Sequence, residues 1–199
     1  PECLWSHSYL LSENRGSFKV DGITIDLYCC ASELGPPLED KPRLAGIGRF
    51  CHELLHTFGL PDFYDTGFSD TQAYYSAGLW GTTSIMDKGF LNNSGHTPPN
   101  LNAIEREILS LGSPVETTAG RTVLRPVREG VWLRLESGNP GEYCLAEYRD
   151  ATLWDEYIGG HGLLVYHIDK SENECGEIAG RPISALSRWE HNLVNGYPS

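Results

Sequence analysis

Two histidines four residues apart, His52 and His56, enclose Glu53 and are followed by Gly59 and Asp62, so residues 52–62 read His-Glu-x-x-His-x-x-Gly-x-x-Asp. On an α-helix, positions i and i+4 share a face, which stacks the two imidazoles a turn apart where both can grip one ion. Zinc takes imidazole and carboxylate ligands in a tetrahedral set, and three protein ligands leave a fourth position for water. Water bound in catalytic sites of this kind has a pKa of about 7, so a hydroxide-like nucleophile exists near neutral pH. Glu53 follows His52 directly and is the natural group to take a proton as water attacks a carbonyl and to pass it to a leaving amine.

The elements that must position these groups are legible around them. Ile47, Phe50, Cys51, Leu54, Leu55 and Phe58 recur at helical spacing, no proline falls within 44–60, and Gly46 and Gly48 stand near the start. Gly59 sits where the helix must stop, because glycine tolerates the left-handed conformation that reverses a chain there, and Pro61 prevents resumption. That turn can bring Asp62 back toward the metal as third ligand. A bare His-Glu-x-x-His arises by chance on amphipathic helices, but here the glycine and the aspartate are also in register. Glu105, on a later helix read over 100–111, competes for the third-ligand role. Glu105 and Glu107 flank Arg106, however, and read as a solvated charged face.

A second signal is Met86, the only methionine, which follows the zinc helix by the interval at which metzincin peptidases place a methionine turn beneath their metal. The blocks "FCHELLHTFGLPDFYDT", "LWGTTSIMDKGFLNNSGHTPPNLNAIEREILSLG" and "GEYCLAEYRDATLWDEYIGGHGLLVYHID" together resemble the immune inhibitor A family of secreted metallopeptidases. The resemblance implies an α+β fold, in which a metzincin-like zinc peptidase domain is followed by a β-rich module. It implies Zn2+ held by His52, His56 and Asp62, with Glu53 as general base and Met86 in the methionine turn. It further implies Ca2+ as an additional ion, protein or peptide substrates, and secretion to an extracellular, periplasmic or cell-surface location. The family's catalytic domain begins upstream of a start such as this one, so a further N-terminal segment of the same protein is expected as a partner. Some metzincins also place a tyrosine just after the turn methionine, whereas Asp87, Lys88, Gly89 and Phe90 follow Met86 here. The function these features imply is a zinc-dependent endopeptidase. The rival is a binding or adhesion protein built on an inactive peptidase scaffold.

Composition narrows the partners. A chain of 199 residues is long enough for a sizeable core. A net charge of −12 argues against nucleic acid and anionic membrane surfaces, where basic patches supply affinity. No apolar run approaches the ~20 residues that span a bilayer, so no membrane insertion is expected. Six cysteines permit disulfides without fixing their pairing. Cys29 and Cys30, being adjacent, should point to opposite faces of a strand, and Cys51 reads as a small hydrophobe within the zinc helix.

Texture divides the chain into a catalytic region, 1–112, and a β-rich module, 113–199. In the first, 22–29 reads as one strand and 33–42 as a loop. In the second, strands are expected at 122–126, 131–135, 143–147 and 163–168. His161, His167 and Asp169 read as structural rather than as a second metal site. Tyr74 and Tyr75 are candidates for substrate contact, with packing the commoner role of tyrosine.

Overall fold

A computed structural model describes residues 5–13, 16–38, 41–63, 81–115, 120–169, 177–178 and 181–182. Tyr74, Tyr75, Cys3 and Cys175 lie outside the described residues. The architecture is a mixed α/β arrangement of few helices and small sheets.

In the N-terminal half, β1 (His7–Leu10) pairs antiparallel with β4 (Leu27–Cys30), and β2 (Phe18–Val20) with β3 (Ile23–Ile25). The single strand expected over 22–29 is therefore two strands broken at Asp26. The Asp26 carboxylate accepts from the Ser12 amide at 2.7 Å and the Ser12 hydroxyl at 2.9 Å, while its backbone carbonyl accepts from Leu11 N–H. A residue tied to that turn cannot continue the β3 ladder. The loop expected over 33–42 is instead a short hairpin of β5 (Leu34–Leu38) and β6 (Lys41–Leu44). Its register shifts between Gly35 and Leu38, and that irregularity accommodates Pro36 and Pro37, which have no N–H to donate.

Helix α1 (Ile47–Thr57) carries the histidines. A Cβ on Gly48 would lie 2.1 Å from the Phe90 carbonyl oxygen, so only glycine lets the helix meet the segment that follows Met86 this closely. Segment 81–95, largely 3-10 turns, lies against α1, and the second helix, α2 (Ala103–Leu109), follows it. This helix begins later than the sequence suggests because Asn102 caps it. The Asn102 side chain accepts from Glu105 N–H, and the Glu105 side chain accepts from Asn102 N–H, forming a capping box. Ile104 is fully buried and Leu101 and Ile108 pack on the core, as the helical period requires.

A four-stranded sheet of order β10-β9-β8-β7 completes the fold, from β7 (Ser113–Val115), β8 (Val131–Glu136), β9 (Glu142–Arg149) and β10 (Gly162–Asp169). β7 runs parallel to β8 and the other pairs are antiparallel. The strand expected at 122–126 does not form. Only an isolated bridge joins Pro126 to Tyr148, and Val123 is exposed. One core unites Leu60 and Phe63 after α1, Ile85 and Met86, Ala103 and Ile104 of α2, and Trp132, Tyr143, Leu145, Tyr166 and Ile168 of the sheet. Beside it runs a buried ionic network. Arg149 donates to Glu147 and to Asp155, each at 2.8 Å, and to the backbone carbonyls of Asn100 and Thr83. Glu147 accepts in turn from Ala103 N–H and Tyr166 Oη. Burial alone would depress the Arg149 guanidinium, but the Glu147 and Asp155 carboxylates more than reverse that and keep it charged.

Removing one partner of a buried ion network leaves the others without compensation, which costs about 3–5 kcal/mol. Arg149→Ala is expected to lose that much stability in urea denaturation. Arg125→Ala, which breaks an exposed Arg125–Glu129 pair at 3.4 Å, should change it by less than about 1 kcal/mol. Equal effects of the two substitutions would show that the network does not brace the fold.

Candidate metal centre

The end of α1 builds the site. Gly59 adopts φ +99°, its N–H donates to the His56 carbonyl at 2.9 Å, and Leu60 N–H reaches back to the Leu55 carbonyl at 3.2 Å. Bonds from the first and second residues beyond a helix cap to these two carbonyls define a Schellman motif. The chain leaves it turned back along the helix, and Asp62 comes to rest against both histidines. Asp62 Oδ1 lies 3.0 Å from His52 Nε2 and 3.4 Å from His56 Nε2. Among the described residues, His52, His56 and Asp62 are the group whose ligand atoms converge, all within 4.8 Å of one another.

The donor chemistry follows from what the other ring atoms do. His52 Nδ1 lies 2.9 Å from the Ile85 carbonyl and His56 Nδ1 2.7 Å from the Leu60 carbonyl. A carbonyl only accepts, so each Nδ1 carries a proton, and each ring turns Nε2 toward Asp62. Asp62 Oδ1 is buried and accepts no hydrogen bond. The two Nε2 atoms and Asp62 Oδ1 thus face one point, where a proton shared between imidazole and carboxylate or a metal cation can join them. The set fits a zinc ion in type and number. Without a metal, the same juxtaposition favours a charged imidazole beside a charged carboxylate. Burial pushes Asp62 up, yet the two imidazoles beside it reverse this and hold it well below the usual carboxylate range. Burial would depress His56, but the Asp62 carboxylate raises it overall. Glu53, half-buried on the next position of α1, is raised by burial despite both imidazoles.

Met86 is wholly buried, its side chain in the core with Leu60, Phe63 and Ile85. Where a tyrosine follows the turn methionine in some metzincins, Asp87 is instead buried and accepts from Gly81 N–H at 2.6 Å. Phe90 rests on the His52 ring with centroids 4.8 Å apart, and Arg49 lies over the Phe90 face.

The reading of Glu105 as a solvated charge is corrected. Its side chain is completely buried, accepts from Ser84 Oγ at 2.5 Å and from Met86 N–H at 3.2 Å, and does not belong to the converging group. Burial pushes its carboxyl up to about 7, against the hydrogen bonds that favour the ionised form. Glu107 is partly buried and accepts from Tyr143 Oη and Arg134. The pattern Asn102-x-x-Glu105 before an apolar run is a capping-box signature, which marks Glu105 as a group tied back to the helix start. His161 is exposed and His167 faces Glu142 at 3.4 Å, apart from any group of three potential ligands among the described residues. Cys29, Cys30, Cys51 and Cys144 are free thiols.

Paired imidazoles and a carboxylate on a helix-turn unit, with a glutamate alongside, form a group that could hold a metal ion. The family model of the immune inhibitor A peptidase M6 catalytic domain matches residues 2–110, more than half of the chain, and the chain belongs to that family. It therefore carries a peptidase domain, of a family of metallopeptidases, whose substrates are proteins. Comparisons with curated proteins and with solved structures returned no match. Among the described residues, no helix is long and apolar enough to cross a membrane.

Deleting one of three ligands should release the ion. The purified chain is expected to carry one zinc, measured by elemental analysis after dialysis, and Asp62→Ala to lose most of it. Full zinc retention by Asp62→Ala would remove Asp62 from the ligand set.

Proposed function

We propose that this chain is the catalytic part of a secreted, zinc-dependent endopeptidase, in which His52, His56 and Asp62 hold the metal and Glu53 is the general base. The observation that carries this reading is the convergence of both histidine Nε2 atoms and the buried Asp62 Oδ1 on one point beside Glu53. Bound there, Zn2+ supplies Lewis acidity, making water nucleophilic near neutral pH and polarising the scissile carbonyl. The protein's own part is positional and protonic. The carbonyls of Ile85 and Leu60 fix ring orientation and tautomer, so both Nε2 atoms are ready acceptors without rearrangement. Glu53 takes the proton of the attacking water and delivers it to the departing amine. Its partial burial raises its affinity for that proton above that of an ordinary glutamate.

The resemblance to the immune inhibitor A family completes the reading with a metzincin-like region over 1–112 that has Met86 in its turn, a β-rich module over 113–199, export to an extracellular, periplasmic or cell-surface location, and calcium as a further ion. The rival reading, a binding or adhesion protein on an inactive scaffold, draws on the absence of a tyrosine just after Met86, and the intact ligand set and base weigh against it. His52, Glu53, His56 and Asp62 are all in place.

Glu53→Ala keeps every ligand and removes the proton acceptor. It is expected to retain zinc while hydrolysis of a denatured-protein substrate falls at least about a hundredfold. Cleavage at the parent rate by that variant would rule out Glu53 as the base.

A further inference from the structure

Glu105 presents two carboxylate oxygens to two different tasks. Oε2 closes the capping box, accepting from Asn102 N–H at 2.7 Å. Oε1 is not needed for that cap and instead accepts from Ser84 Oγ at 2.5 Å and Met86 N–H at 3.2 Å, while Ser84 Oγ also accepts from Met86 N–H at 3.1 Å. The Met86 N–H belongs to the same peptide unit as the Ile85 carbonyl, the group that accepts from His52 Nδ1 at 2.9 Å. A trans peptide is planar, with N–H and C=O on opposite sides, and no cis bond occurs among the described residues. Holding the N–H therefore fixes the direction of the C=O. The next peptide continues the pattern, since the Met86 carbonyl accepts from Phe63 N–H at 2.9 Å, directly after Asp62.

We propose that Glu105, with Ser84, is a positioning residue for the metal centre, clamping the Ile85–Met86 peptide so that its carbonyl orients His52 and the adjoining carbonyl seats the turn that carries Asp62. This inference rests on the ligand assignment made above. Rotation of the Ile85–Met86 peptide plane is the motion that would free the His52 ring, and the Glu105 carboxylate opposes it from the far side. The chain of carboxylate, peptide and imidazole also polarises in one direction, toward greater electron density at His52 Nε2. The part of Met86 that matters is thus its backbone, fixed at N–H and C=O alike, with the side chain anchoring the segment in the core.

The two oxygens allow the positioning role to be separated from helix capping. Asn102→Ala breaks the cap and leaves Oε1 engaged, whereas Glu105→Gln removes the charge and cannot accept at both oxygens. Zinc affinity is read by competition with a chromophoric chelator, and folding of each metal-free variant by thermal denaturation. Glu105→Gln is expected to weaken zinc binding about 10- to 100-fold, the range for groups that orient a ligand. Asn102→Ala should stay within about twofold of the parent even where its melting temperature falls further. Should Glu105→Gln fail to fold, Ser84→Ala decides, with a loss of about threefold or more expected. Affinity within about twofold of the parent for folded Glu105→Gln, or for Ser84→Ala where it decides, would overturn the proposal, as would an equal loss in Asn102→Ala. A parent chain that takes up no zinc would instead sink the ligand assignment, and the positioning role with it.

Discussion

The site depends on one constraint: both histidines commit Nδ1–H to backbone carbonyls. With Ile85 O and Leu60 O holding those protons, both rings turn Nε2 toward Asp62, and the cluster is satisfied by a cation that joins it, a proton on Nε2 or a metal ion. Everything around the cluster serves those two carbonyls. Leu60 is placed by the Schellman turn at Gly59, and Ile85 by the segment that Met86 anchors. Were either carbonyl to move, the ring would be free to take the other tautomer or to turn away, and the third ligand alone could not recruit the metal.

That constraint explains why the sheet matters to a site it does not touch. The segment carrying Ile85 and Met86 lies between α1 and α2, and its shape is set from below. Glu105 of α2 holds Met86 N–H, and Arg149 of β9 holds the Thr83 carbonyl one residue before Ser84. Glu147 of the same strand accepts from Ala103 N–H at the start of α2. The hydrophobic core connects the same parts, from Leu60 and Phe63 to Tyr166 and Ile168. Buried ions of this kind cost desolvation, and they persist where several hydrogen bonds complete each carboxylate and guanidinium. Here those bonds end on the segment that holds the histidine.

Much of the site was legible in the sequence because its determinants are local. The histidine spacing, the stop at Gly59 and the position of Asp62 are properties of one helix and one turn, and a 3.6-residue period with a left-handed glycine specifies both. What escaped the reading is long-range. Glu105 sits between residues that look solvated, and only the packing of α2 against segment 84–86 turns it inward. Asp26 breaks a run that alternates like one strand because its carboxylate finds Ser12, fourteen residues away. The hairpin over 34–44 contradicts the local signal of two prolines because the pairing slips at that point, and segment 122–126 has strand-like composition without a neighbour to complete a ladder. Periodicity reports which face is apolar, and the partner that satisfies a backbone lies elsewhere in the chain.

The ligand assignment is tested most directly by zinc K-edge X-ray absorption on the chain loaded with one equivalent of metal. The account predicts a first shell of nitrogen and oxygen at about 2.0–2.1 Å, with multiple scattering from two imidazole rings and no sulfur. A sulfur shell at about 2.3 Å would mean that a cysteine or Met86 binds the metal. That result would contradict the assignment of His52, His56 and Asp62.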